Sequence, residues 1–503
     1  MDAADSPAAL PTTVPAPRAT ANRSTTPTSS TFVEWISSGW ADPPQPLPEP
    51  RASAASAAAH RAAISALHPG ERLLIPAGRN SVRSNDTDYP YRAHSAFSHL
   101  TGWGADTVAG SVLVLEPTDA GHDAVLYLRA PAGRHTDEFY ANPEIGEFWT
   151  GPRPSPAVVA ADLGLPTRDL ADLAAVIEKT DAATRLLRDA DPELTDHVDG
   201  LRLMGLDDPA EVDTDGDATL ARDLSELRFR KDAWEAEQVR LAVEATRRGF
   251  DDVIAQLPRI LAHRRGERLV EGAFNGRARV EGNAVGYDTI AASGPHACIL
   301  HWTRNDGPVL PGDLVLIDAG VELESLYTAD ITRTLPVDGR FTEVQRRVYE
   351  AVLEAADAAF EVVRPGIRFS DVHAAAMRVI ARRTAEWGML PVSAEESLHP
   401  DAGYHRRYMI HGTSHHLGLD VHDCAQARRE FYRDGIVEEG MVFTIEPGLY
   451  FQPDDLTVPE EYRGIGIRIE DDILVTADGA ENLSAGIPRT ADAVEAWVLG
   501  GRS

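Results

Sequence analysis

Cysteine is almost absent: the chain has two in 503 residues, Cys298 and Cys424. So few thiols exclude a disulfide framework and point to a reducing compartment. Positive charge is also scarce, with 48 Lys and Arg against 79 Asp and Glu, a formal net charge of −31. Such acidity argues against a general binder of nucleic acid or of anionic membranes, whose phosphates call for a basic face. Long apolar runs are missing, and none approaches the roughly 18 residues of a membrane span. Nor does the N-terminus carry a basic segment followed by an apolar one, as a secretory signal would. These shortages predict a cytoplasmic protein with no nucleic-acid and no membrane partner.

What is present suits a folded chain. Hydrophobic residues make up 43% and charged residues 25%, and the length allows two or more domains with separate cores. Residues 1–30, rich in Ala, Pro, Ser and Thr, read as a disordered tail. Residues 31–218 read as an N-terminal α/β domain and residues 219–495 as a second one, with 206–218 as an acidic linker. In the first domain an Ala-rich helix is expected over about 51–67, and strands over 72–78, 111–117 and 123–128. Residues 181–190 read as helical. The segment Tyr89-Pro90-Tyr91-Arg92 reads as extended and structural.

In the second domain a long amphipathic helix is expected from Lys231, packing through Trp234, Gln238, Leu241, Ala242, Ala245 and Phe250 and ending at Pro258. Thr342 and Ser370 read as helix caps. Leu314–Ile317 reads as a buried strand delivering Asp318, and Met441–Ile445 as one delivering Glu446. Gly464–Val475 reads as a single alternating strand carrying Arg468 and Glu470 on one face, with Arg463, Asp471 and Asp472 as rim charges.

Residues 411–422 hold four of the chain's 17 histidines: His411, His415, His416 and His422. Neutral imidazole is the commonest metal ligand and the usual proton shuttle near neutrality. Turn or surface histidines would satisfy the same pattern, and the surroundings decide between the readings. Asp318 and Asp330 precede the cluster, and Glu446 and Glu470 follow it. Four clustered carboxylates would repel one another, whereas two divalent cations would balance their charge. One imidazole with four carboxylates suits Mn, Co, Fe or Zn. A metal pair that acidifies a shared water is hydrolytic apparatus. Arg468 is expected either to orient an acidic ligand, to meet the substrate, or to form an ordinary ion pair. His399 and His405 are expected at the surface.

Seven segments in order carry a family resemblance: Ile299–Thr303, Leu316–Gly320, Tyr327–Thr334, His411–His415, Leu419–Asp423, Thr444–Gly448 and Ile467–Asp472. Together they resemble the pita-bread metallopeptidases, and most closely aminopeptidase P. The Tyr89–Arg92 segment with Ser95, Phe97 and Leu100–Gly102 is similar to that family's N-terminal domain. The resemblance implies an α/β (α+β) fold, with an N-terminal α/β domain followed by a pita-bread catalytic domain.

It also implies two divalent metal ions, Mn2+ by preference with Co2+, Zn2+ or Fe2+ as substitutes. Their ligands would be Asp318, Asp330, His415, Glu446 and Glu470, with Asp330 and Glu470 bridging. Glu446 would carry the proton, alongside His422 and His411 as catalytic groups. His301, His411, His422, Arg468 and Tyr450 would bind substrate, and His416 would have no role. The implied reaction releases an N-terminal residue from a following proline. The partners would be peptides with proline in second position and further copies of the chain, as a dimer or tetramer. A prolidase acting on Xaa-Pro dipeptides is the near alternative, and a non-enzymatic pita-bread binding protein the distant one.

Overall fold

The computed structural model describes residues 26–41, 46–85, 87–204 and 212–501. Most of the proposed tail, residues 1–25, lies outside them, as does much of the proposed linker. The chain divides into two compact units at Leu227/Arg228.

The first unit is built on a five-stranded sheet. Its strands are β1 (Glu71–Pro76), β2 (Val112–Thr118), β3 (Gly121–Leu128), β4 (Thr167–Asp169) and β5 (Ala183–Leu186), in the order β4-β3-β2-β1-β5. β1, β2 and β3 pair antiparallel, while β5 runs parallel to β1 and β4 parallel to β3. Alternation sends Leu73, Ile75, Leu113, Leu115, Leu126 and Leu128 into one core. Leu74, Val112, Val114, Tyr127 and Leu186 go into the other. Helix α1 (Ala54–Leu67) supplies Ile64 to the first core, and α2 (Pro192–Leu203) supplies Leu194 and Val198 to the second. The result is a helix–sheet–helix sandwich.

The helix expected over 181–190 is instead strand β5. Its residues pair with Glu71–Leu74, and the Arg185 Nε–H donates to Glu71 at 2.7 Å, so sheet contacts override local helix preference. Asp215 to Asp217, expected as linker, open helix α3 (Asp215–Leu227), where buried Asp217 accepts from Leu186 N–H at 2.9 Å. Tyr91 anchors its segment by donating to the Ala77 carbonyl at 3.1 Å.

The second unit opens with α4 (Ala233–Ala255), started by a capping box between Asp232 and Glu235. It ends at Ala255, and Pro258 sits in the first turn of a new short helix rather than terminating the first. The buried face of α4 runs through Val239, Ala242, Val243 and Thr246, and Leu241 points outward. Helix α5 (Gly266–Glu281) precedes the sheet β6 (Ile290–Ser293), β7 (Leu314–Ala319) and β8 (Ile331–Pro336), ordered β8-β7-β6. Thr342 and Gln345 form the capping box of α6 (Glu343–Val362). Helix α7 (Phe369–Glu386) starts one residue before Ser370. Arg368 is its cap, and Ser370 in the first turn bonds Asp434 instead.

Strands β9 (Val442–Ile445), β10 (Gly448–Tyr450), β11 (Gly466–Arg468), β12 (Asp471–Val475) and β13 (Ala480–Asn482) complete the unit. The single strand expected over 464–475 is therefore two. β11 pairs with β10 and β12 with β9. At the break the Glu470 N–H donates to the Thr332 carbonyl of β8 at 3.1 Å. Asp471 and Asp472 are buried rather than at a rim. Asp471 pairs with Arg333 at 2.7 Å and Arg489 at 3.0 Å, and Asp472 accepts the Asp330 N–H at 3.1 Å. His405 is likewise buried, bonded to Ser397, whereas His399 is exposed. Both cysteines are free and buried, the Cys298 thiol meeting the Phe451 carbonyl at 3.3 Å.

Candidate metal centre

Five segments far apart in sequence deliver their acidic and imidazole groups to one cavity of about 510 Å3. Asp318 comes from β7, Asp330 from just before β8, Glu446 from just after β9 and Glu470 from the break between β11 and β12. His415 comes from the loop ahead of β9, held there by Thr444 N–H donating to its carbonyl at 2.9 Å. One ligand atom each from Asp330, His415 and Glu470 lies within 4.8 Å of the other two. The His415 Nε2 atom is 3.2 Å from Asp330, 3.7 Å from Glu446 and 3.9 Å from Glu470. Its Nδ1 lies 3.2 Å from the His416 carbonyl, which can only accept. That contact fixes the hydrogen on Nδ1 and aims Nε2 at the carboxylates, the arrangement a metal-ligating histidine requires.

The electrostatics ask for cations. Burial, with neighbouring carboxylates adding to it, lifts Glu470 well above the usual carboxyl range and raises Asp330. Burial pushes Glu446 up to about 7. Burial alone would lower His415, yet Asp330 and Glu446 raise it to about 9. A cluster that gathers protons in this way is short of positive charge, and its oxygen and nitrogen donors fit divalent cations.

Around these groups the structure adds a relay in which sequence reading gives a role to Arg468 but none to Tyr287, Thr332 or Arg333. Tyr287 donates to Asp318 at 2.7 Å and also bonds Asp330, joining the acid of β7 to the one just ahead of β8. Arg468 bonds Asp318 directly, and its Nε–H donates to Thr332 at 3.0 Å. The Thr332 hydroxyl in turn donates to Glu470 at 2.6 Å. Arg333, fully buried, donates to the Glu470 carbonyl at 2.6 Å. Thr332 and Arg333 lie inside the segment 327–334 already singled out, which was the available signal. Tyr287 lies in none of the seven segments.

His301, His411, His422 and Arg468 all line the cavity. Tyr450 stands one layer behind. Its hydroxyl lies 2.8 Å from His411 Nε2 and accepts from Arg468 at 3.1 Å. The His422 ring meets that of His415 edge-on at 4.3 Å, and burial and the neighbouring His415 both lower its pKa. His416 is buried, stacked on Phe369 at 4.4 Å.

Beneath the histidine loop lies a buried ion cluster. Asp423 accepts from Arg228 at 2.8 Å and from Lys231 at 3.0 Å, and its own N–H donates to the His416 carbonyl at 2.9 Å. Any side chain at Gly418 would strike Asp423 and Lys231, which restricts this turn to glycine.

Comparison with known proteins gives a consistent answer. Residues 237–477 match Metallopeptidase family M24, and residues 57–186 match Aminopeptidase P, N-terminal domain. The chain is 52% identical over 465 residues to Xaa-Pro aminopeptidase 2 of Streptomyces coelicolor, covering 92% of this chain and 94% of that one. Among solved structures it is similar to an aminopeptidase from Pseudomonas aeruginosa, with a TM-score of 0.76, 29% identity and coverage of 90% and 99%. It is also similar to zinc-substituted aminopeptidase P of E. coli in complex with product, with a TM-score of 0.75, 32% identity and coverage of 90% and 99%.

Proposed function

The chain belongs to metallopeptidase family M24, with the pita-bread catalytic fold and an aminopeptidase P N-terminal domain, and we propose that it hydrolyses the bond between an N-terminal residue and a following proline. The convergence of Asp330, His415 and Glu470 beside Asp318 and Glu446 in a peptide-sized cavity carries this reading. Those five residues would hold two divalent cations, which supply Lewis acidity that lowers the pKa of water and polarises a carbonyl.

The chain's own groups do the rest. Glu446 accepts the proton of the attacking water and returns it to the departing proline nitrogen, acting as general base and then as general acid. His422, kept neutral by burial, donates an N–H to the oxyanion that develops on the scissile carbonyl. His301 and His411 shape the cavity around the substrate, with Tyr450 bracing His411 from behind. Arg468 offsets the charge of Asp318 and, through Thr332, holds Glu470 in place. An Xaa-Pro bond has no N–H and a fixed φ, so a shaped cavity suits it better than backbone hydrogen bonding.

We place Mn2+ in the site because its mixed nitrogen and oxygen donors suit that ion. Exposed Trp35, Trp40, Phe148 and Trp149 on the first unit favour a homo-oligomer, dimer or tetramer, measurable by light scattering. The two free, buried cysteines favour the cytoplasm, testable by cell fractionation. Among the described residues no helix is long and apolar enough to cross a membrane. Limited proteolysis between residues 204 and 228 would test the proposed domain division, 31–218 and 219–495.

The deciding assay follows release of the first residue from Xaa-Pro-Yaa and from Xaa-Pro as Mn2+ is titrated into metal-stripped protein. Metal-dependent cleavage of the tripeptide, with little of the dipeptide, is expected. Preference for the dipeptide would instead indicate a prolidase, and no cleavage of either by folded, metal-loaded protein would indicate a binding protein.

A further inference from the structure

Glu267, in the first turn of α5, is completely buried, and each of its oxygens meets two hydrogen-bond partners. Oε1 accepts from Ser293 N–H at 2.9 Å and lies 2.7 Å from His296 Nδ1. Oε2 accepts from the Trp302 indole N–H at 3.0 Å and from Gly307 N–H at 2.6 Å. All four partners belong to residues 293–307. Beyond the end of β6 and the short 3-10 turn Gly294–Cys298, this segment has no regular secondary structure.

The same segment contributes Leu300, His301 and Thr303 to the cavity wall. A loop without a ladder must find other partners for its backbone and ring N–H groups, and here one carboxylate gathers them. The His296 ring stacks on Trp302 at 3.9 Å, and the Arg304 guanidinium lies 5.0 Å from the Trp302 ring centroid. Gly307 has no room for a side chain. A Cβ there would sit 2.7 Å from His296 and 2.8 Å from Glu267. The five candidate ligands are not among the hydrogen-bond partners of Glu267.

We propose that Glu267 is a positioning residue for substrate: its carboxylate sets the conformation of residues 293–307 and so places His301 against the peptide. This rests on the reading of the cavity as a peptide site. The charge and the two-sided geometry both matter. Glutamine would turn an NH2 group toward one pair of partners and leave at least one N–H, that of Ser293 or those of Trp302 and Gly307, without an acceptor.

The test is steady-state kinetics on an Xaa-Pro-Yaa peptide with wild type, Glu267→Gln, His301→Ala and the double variant, alongside Mn2+ affinity by calorimetry. Glu267→Gln should raise KM about 10-fold, with kcat and Mn2+ affinity within about two-fold of wild type. The double variant should be no worse than His301→Ala alone, because both changes remove one interaction. Trp302→Phe keeps the ring stack and deletes one donor. It should give a smaller rise in KM, and it serves as the readout if Glu267→Gln does not fold.

A purely structural role would lower the melting temperature without this split between KM and kcat. Unchanged KM in the Glu267 and Trp302 variants, or fully additive effects of Glu267→Gln and His301→Ala, would overturn the proposal. So would an unchanged KM in His301→Ala, since the segment would then hold no substrate. Failure of the wild type itself to cleave the tripeptide would instead refute the proposed activity.

Discussion

Thr332→Val is the most informative single change at the metal centre. Valine keeps the branched shape, so packing is preserved and only the hydroxyl is lost. Thr332 accepts from Arg468 Nε–H at 3.0 Å and donates to Glu470 at 2.6 Å, and it is fully buried. Its removal strands a charged donor out of contact with water, at a cost of about 1–3 kcal/mol. Glu470 at the same time loses the group that fixes one of its oxygens. Deleting an outer partner of a metal ligand costs about 10–100-fold in affinity or activity, which is about 1.4–2.8 kcal/mol. Calorimetric titration of Mn2+ into metal-stripped protein, with kcat/KM on a tripeptide, measures both consequences. We expect weaker Mn2+ binding and lower kcat/KM, each by that factor. Wild-type values for both in a folded variant would refute the claim that Thr332 couples Arg468 to the metal ligands.

Three further outcomes are expected. Glu446→Gln should lower kcat by at least about 100-fold, the scale of a lost acid–base group, while the metal-free variant melts no lower than wild type because a buried negative charge has gone. Chelation should destabilise the protein. Saturating Mn2+ at about 100 times its Kd contributes about 2.7 kcal/mol, read as a rise of about 5–10 °C in Tm by calorimetry for a unit of this size. Lys231→Met should cost about 3 kcal/mol by denaturant titration, since it leaves Asp423 with Arg228 as its remaining buried partner cation. That penalty should also depend on acid. Burial would raise the Asp423 carboxyl, but Lys231 and Arg228 hold it well below the usual range. Its stabilisation is therefore present above the unfolded pKa near ~3.9 and fades as pH falls below that value.

How much of this was legible in the sequence depended on whether a signal was local. Apolar strands closed by one acid stand out at Asp318, Glu446 and Glu470, whereas Asp330 opens the strand that follows it, and the structure brings all four to one cavity with His415. β5 did not stand out, because Ala183-Thr184-Arg185-Leu186 is extended only through pairing with β1. The break at Glu470 was hidden for a similar reason. Ile465, Ile467 and Ile469 alternate without interruption, but the backbone changes partners from β10 to β9 between them and Asp471. Asp471 and Asp472 looked exposed because they are charged. Their partners, Arg333, Arg489 and the Asp330 N–H, lie at least 18 residues away in the chain. Tyr287 marks the limit of motif reading, since its role exists only once β7 and β8 lie side by side.

The two buried thiols have a practical consequence for spectroscopy. Burial pushes Cys298 up to about 12 and Cys424 further still. At neutral pH both are held as thiols rather than as thiolates, the form that maleimides attack. The native chain should therefore stay dark to such dyes. A cysteine introduced at Val280, which is 77% exposed, would then carry a fluorophore or spin label at one known place, with no need to remove the natural thiols first.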